Sequence, residues 1–82
     1  MSTIDIILTR MMYEAVFADA VFENAEAALT EYNLTSEEVS RFKTLSRLKL
    51  SAMTLEDRKT FAAWVTHPHT MPNPLNSTDN GA

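Results

Sequence analysis

The sequence predicts an all-α fold, a compact bundle of five or six short helices with a disordered C-terminal tail. Three observations predict it. Residues 1–66 contain neither Pro nor Gly, the strongest local breakers of a helix. Apolar residues recur through that stretch at helical spacing. Cap residues followed three places later by an acid mark helix starts at Thr35 and Thr54. With one Gly and three Pro in 82 residues, the many tight turns of an all-β fold have no source.

The first helix is expected over Thr3 to Tyr13. Ile4, Ile7, Leu8, Met11 and Met12 follow i, i+3, i+4, i+7, i+8 and form its apolar face, with Ile6 off it. Ser2 or Thr3 caps it, and Asp5 suits the positive end of the helix dipole. A second helix covers Glu14 to Glu23, with Val16, Phe17, Ala20 and Val21 on its buried side and Phe22 turned to another helix or a partner. Asn24 is the N-cap of a third, in which Ala25, Ala28, Leu29 and Tyr32 repeat. Asn33 should end it, because Asn tolerates the left-handed backbone of a C′ residue. Leu34 would then pack back on Leu29.

Thr35 and Glu38 form a capping box, flanked by a hydrophobic staple of Leu34 and Val39. The fourth helix is expected from Ser36 to about Ser46, burying Val39, Phe42 and Leu45. Arg47 to Met53 is a short connector or fifth helix carrying Leu48, Leu50 and Met53. Thr54 caps the last helix with Asp57 at N3, and Leu55, Phe61, Ala62, Trp64 and Val65 supply its apolar side.

His67 to Ala82 differ from the rest. They hold all three prolines, the single glycine and one charge, Asp79. Such a stretch buries too little apolar area to offset its ordering entropy, which predicts a flexible tail. The chain therefore divides into a helical domain over 1–66 and a tail over 67–82.

Composition removes several classes of function. The formal net charge is −4, which argues against nucleic acid as the main partner. There is no Cys, hence no disulfide framework, thiolate metal site or cysteine nucleophile. His67-Pro68-His69 lacks a fixed third ligand, so no metal site is expected. No glycine-rich phosphate loop exists, and no His in the ordered part stands ready to activate a Ser or Thr. Glu37 and Glu38 are explained by the helix start rather than by catalysis. The chain is thus expected not to be an enzyme and to need no cofactor of its own. No apolar run approaches the roughly 20 residues of a membrane span, and no basic n-region precedes Ile6-Ile7-Leu8. A cytoplasmic, bacterial protein is expected.

Charge is unevenly placed. Residues 1–40 hold eight acids (Asp5, Glu14, Asp19, Glu23, Glu26, Glu31, Glu37, Glu38) against Arg10 alone. Residues 41–66 hold six bases (Arg41, Lys43, Arg47, Lys49, Arg58, Lys59) against Glu56 and Asp57. Acidic early helices facing basic late ones is the first reading, and steering of a charged partner the second. Phe22, Trp64, Met11, Met12 and Met53 are either ordinary core or an adaptable binding patch.

The segment Phe17-Ala18-Asp19-Ala20-Val21-Phe22-Glu23-Asn24-Ala25-Glu26-Ala27-Ala28-Leu29-Thr30-Glu31-Tyr32-Asn33-Leu34-Thr35-Ser36-Glu37-Glu38 resembles helical leader regions of ribosomal peptide natural-product precursors. Among these are the nitrile-hydratase-leader-peptide clan and the binding domains of split borosin precursors. Asn24, Ala25, Glu26 and Leu29 stand in the places of the family's Asn/Asp, Pro, Glu and Leu. Asn33 stands where Gly is usual, and Leu34-Thr35 match directly. The same segment is similar to the small α subunit of protocatechuate-type extradiol dioxygenases. The shared piece covers residues 4 to 46, about half the chain.

The first resemblance implies a precursor peptide whose helices are bound by a tailoring enzyme that acts on the tail. Phe22, Leu29, Tyr32, Leu34, Phe42 and Trp64 are then the residues expected to meet that partner. Thr70, Ser77 and Thr78 are candidates for dehydration or oxazoline formation. Backbone N-methylation, the borosin chemistry, needs an amide N–H, which proline lacks. It would fall on Leu75, Asn76, Ser77 or Thr78, with the partner using S-adenosylmethionine. The Asn80-Gly81-Ala82 ending resembles a leader cleavage site, so whether the core peptide lies within these residues stays open. The second resemblance implies an accessory subunit folded over a larger enzyme's active site. A free-standing helical regulator or homodimer is the third reading.

Overall fold

The computed structural model describes residues 2–70 and 72–75, Thr70 by its backbone alone. Six α-helices follow one another: α1 (Thr3–Tyr13), α2 (Ala15–Glu23), α3 (Ala25–Ala28), α4 (Ser36–Phe42), α5 (Arg47–Ala52) and α6 (Leu55–Thr66). Short 3-10 turns cover Thr30–Tyr32 and Pro68–Thr70. No strand occurs among the described residues. The all-α bundle is as the sequence predicts.

The caps explain most of the boundaries. Ser2 accepts from the Asp5 N–H at α1, and Asn24 from the Ala27 N–H at α3. Thr35 and Glu38 complete a reciprocal capping box at α4, as do Thr54 and Asp57 at α6. Asn33 takes the left-handed conformation at φ 56°, which turns the chain into Leu34 and α4. A Ser or Thr cap is worth about 1 kcal/mol. Thr35→Ala should lower the unfolding free energy by about that amount without altering helix content, as read by urea denaturation followed by circular dichroism.

Three boundaries differ from expectation. The second helix begins at Ala15, because Glu14 is extended and serves as cap between α1 and α2. The third helix narrows after Ala28 into the 3-10 turn, where the Thr30 hydroxyl donates to the Glu26 carbonyl. The fourth stops at Phe42 rather than Ser46. The Thr44 and Leu45 N–H groups bond three residues back, to the Arg41 and Phe42 carbonyls, and Ser46 then becomes the N-cap of α5.

One contiguous core joins α1, α2, α4, α5 and α6. Ile4, Ile7, Leu8, Met11, Phe17, Val21, Leu29, Phe42, Leu45, Leu50, Phe61, Trp64 and Val65 are its large members. Phe61 meets Phe42 edge-on at 5.8 Å between ring centroids and Trp64 at 6.0 Å. Four expected core residues lie outside. Val16 is 84% exposed, and Ala20, Met12 and Leu55 are also exposed. In α2 the inward face is Phe17, Ala18 and Val21 instead. That helix is apolar nearly all round (Ala15, Val16, Phe17, Ala18, Ala20, Val21, Phe22), so the break at Glu14 sets its rotation rather than periodicity.

Ion pairs tie the acidic early helices to the basic late ones. Glu26 pairs with Lys43 at 2.8 Å, Asp19 with Arg47 at 2.8 Å and Asp5 with Arg58 at 3.7 Å. Arg10 stays within the early half. Its guanidinium lies 3.9 Å from the Phe17 ring centroid and donates to Glu14, Glu31 and the Tyr32 hydroxyl. Those partners, the Tyr32 hydroxyl first, hold the Arg10 proton more firmly than usual.

The chain does not leave the body at His67. Past the 3-10 turn it returns to α5 and α6, where Leu75 packs against the core. Within the expected tail, residues 67–70 and 72–75 are described, and residues 71 and 76–82 lie outside the described residues. No helix of the described residues is long and apolar enough to cross a membrane.

Candidate docking groove

Helices α1, α2 and α5 converge on a hollow of about 490 Å³. Met11, Ala18 and Leu50 form its buried floor, while Met12, Phe22 and Met53 rise along its sides. Arg47 crosses the rim, its guanidinium 4.8 Å over the Phe22 ring and paired with Asp19. On the other side of Phe22 lies a second hollow of about 390 Å³, lined by Val21, Ala25, Phe42 and Leu45 and rimmed by Lys43 and Glu26. A third, between α5 and α6, is lined by Lys49, Ala52, Met53, Asp57 and Thr60 and walled by Pro74 and Leu75. Phe22 and Met53 are thus ridges shared between adjoining hollows.

Two methionines and an aromatic edge make an adaptable apolar surface. Arg47 and Lys43, each held by an acid of the same chain, add fixed polar marks at the rim. Leu48, next in sequence to the rim residue Arg47 on α5, is 79% exposed.

The six residues expected to meet a partner separate into two groups. Leu29, Phe42 and Trp64 are core, at 1%, 2% and 9% exposure, with Leu29 and Phe42 reaching the surface only at the floor of hollows. Phe22, Tyr32 and Leu34 are half-buried. Of these, Phe22 stands in the groove. Tyr32 is engaged edge-on with Phe17 and by Arg10, and Leu34 lines a separate hollow with Leu29 and Val39. Met11 is likewise core, while Met12 and Met53 are groove walls. Arg47, Leu50 and Ser51 line the groove but were not among the residues expected to meet a partner. The alternation of acidic and basic halves was the one signal that pointed to Arg47.

Of the expected modification sites, Leu75 is placed and described. Asn76, Ser77 and Thr78 lie outside the described residues, as does the Thr70 side chain. Among the described residues, no three His, Cys, Asp or Glu side chains gather where a metal ion would sit.

Lys43 donates to the Glu26 carboxylate, which holds that carboxyl below its ordinary range. A depressed carboxyl stabilises the fold above its unfolded-state value, and that contribution is lost as pH falls through the folded one. A carbon-detected NMR titration should place Glu26 below an ordinary glutamate, and Lys43→Ala should move it upward.

No protein family, curated protein or solved structure matches the chain.

Proposed function

We propose that this chain is the precursor of a ribosomally made, enzymatically modified peptide, a docked substrate rather than a catalyst. The observation that carries the reading is the adjacency of two features. The Phe22–Met53 groove offers a partner surface, and the third hollow beside it is where Pro74 and Leu75 lead into the polar residues 76–82. A tailoring enzyme bound at the groove would meet residues 76–82 as a tethered substrate, at effective concentrations up to about millimolar. Covalent geometry keeps residue 82 within roughly 25 Å of Leu75, so the enzyme's active site would lie within that distance of the α5–α6 cleft. An S-adenosylmethionine-dependent methyltransferase of the borosin type is the partner proposed. It would replace an amide N–H by N–CH3, releasing a proton and S-adenosylhomocysteine, at a residue other than proline.

The test is binding of the full chain to methyltransferases encoded beside it, by calorimetry. Phe22→Ala, which removes a groove wall, and Leu48→Asp, which puts a charge beside the rim residue Arg47, should each weaken binding by roughly tenfold or more. Leu48→Asp should do so at unchanged thermal stability, since Leu48 is exposed. Equal affinity of both variants and wild type would remove the groove from the account. A chain that stays unmodified, yet raises its partner's turnover of a separate ring-cleavage substrate, would favour the dioxygenase-subunit reading instead.

A further inference from the structure

One wall of the third hollow is the chain's own segment at Pro74 and Leu75. Leu75 packs its side chain against the core from the α5–α6 side. Its carbonyl accepts from Lys49 Nζ at 3.1 Å. Its N–H donates to Asn73 Oδ1 at 2.9 Å, closing a short side-chain turn around Pro74. The Asn73 amide nitrogen in turn reaches Thr44 Oγ1 at 3.5 Å. Pro74 fixes its own φ and limits the freedom of the segment when undocked, which lowers the entropy cost of docking.

We propose that Asn73–Pro74–Leu75 is a latch that seats the chain's own C-terminal segment in the α5–α6 cleft and withholds the Leu75 amide from enzymes that modify backbone nitrogen. The last clause rests on the precursor reading above, whereas the latch itself does not. The contacts divide the work by chemistry. The isobutyl group supplies apolar burial, Lys49 holds the carbonyl, and Asn73 occupies the one hydrogen that N-methylation would remove. A latched chain keeps the Leu75 amide out of reach. Unlatching adds Leu75 to the accessible set.

The experiment is nitrogen-15 relaxation and amide hydrogen exchange on the full chain, beside the L75D and K49A variants. In the wild-type chain, residues 73 and 75 should show order parameters near about 0.85, like α5 and α6. L75D should drop them below about 0.6 with the helical fingerprint intact. Exchange at residue 75 should rise about tenfold, the scale set by exposing a partly buried leucine. K49A, which keeps Leu75, should give a smaller change in the same direction. Equal mobility of residues 73–75 in wild type and L75D would overturn the latch. Incubation with the methyltransferase separates the two readings. A rigid segment followed by an unmodified 76–82 sinks the precursor reading and leaves the latch standing. A loose segment with a modified tail does the reverse. Given both, K49A should raise the share of product modified at residue 75, and an unchanged share would overturn the shielding.

Discussion

Phe61→Ala is expected to leave the chain close to unfolded at 37 °C. Phe61 is fully buried on α6 and contacts the rings of Phe42 on α4 and Trp64 one turn along. Deleting a buried Phe ring costs about 3–5 kcal/mol, through lost transfer energy and the cavity left behind. A domain of this length has roughly 4–12 kcal/mol in total. Its small size makes the lower part of that range the relevant one. Trp64 is the single tryptophan and is itself buried, so its fluorescence reports the event directly. Urea denaturation should show a midpoint shifted sharply down, with a red-shifted emission maximum. Phe61→Leu, which retains most of the volume, should cost less than half as much.

The second large effect is at Asp5 and Arg58. Asp5 lies in the first turn of α1 and Arg58 on α6, and their side chains are only 15% and 17% exposed. The charges approach to 3.7 Å, but Asp5 Oδ1 and Arg58 Nε make no hydrogen bond. Arg58 also reaches Thr9 Oγ1 at 3.4 Å. This pair links α1 to α6 by Coulomb attraction, offsetting desolvation that each ion would otherwise bear alone. Asp5→Ala leaves Arg58 buried without its counter-ion and should cost on the order of 3 kcal/mol. Arg58→Met should cost a similar amount. The double variant should be more stable than either single one, because no unpaired charge remains. Additive losses in the double-mutant cycle would show instead that the pair contributes nothing as a pair.

Much of the fold was legible because the chain announces its helix starts with short polar residues. Thr35, Thr54 and Asn24 each cap as expected, and Asn33 adopts the left-handed turn that its amide side chain tolerates. What was not legible follows from two physical ambiguities. A helix apolar on most sides, such as α2, carries no strong periodicity, so the exposure of Val16 and Ala20 depends on a break at Glu14 that propensity does not mark. An aromatic or large aliphatic side chain reads alike as anchor or as core. Leu29, Phe42 and Trp64 became core through packing between elements distant in sequence, a long-range outcome no local pattern contains. The placement of residues 72–75 against the body was hidden for a related reason. The Leu75 contact with the core and the Lys49 contact with its carbonyl fall in a segment whose composition is otherwise that of a free tail.

In the proposed function the helices hold a modifying enzyme while the chain's C-terminal residues receive the chemistry. Tandem mass spectrometry after incubation with the candidate enzyme and S-adenosylmethionine tests it most directly. Methylated fragments confined to residues 75–82, and lost on Leu48→Asp, are the predicted result. Methylation within residues 1–66, or none at all despite tight binding, would contradict it.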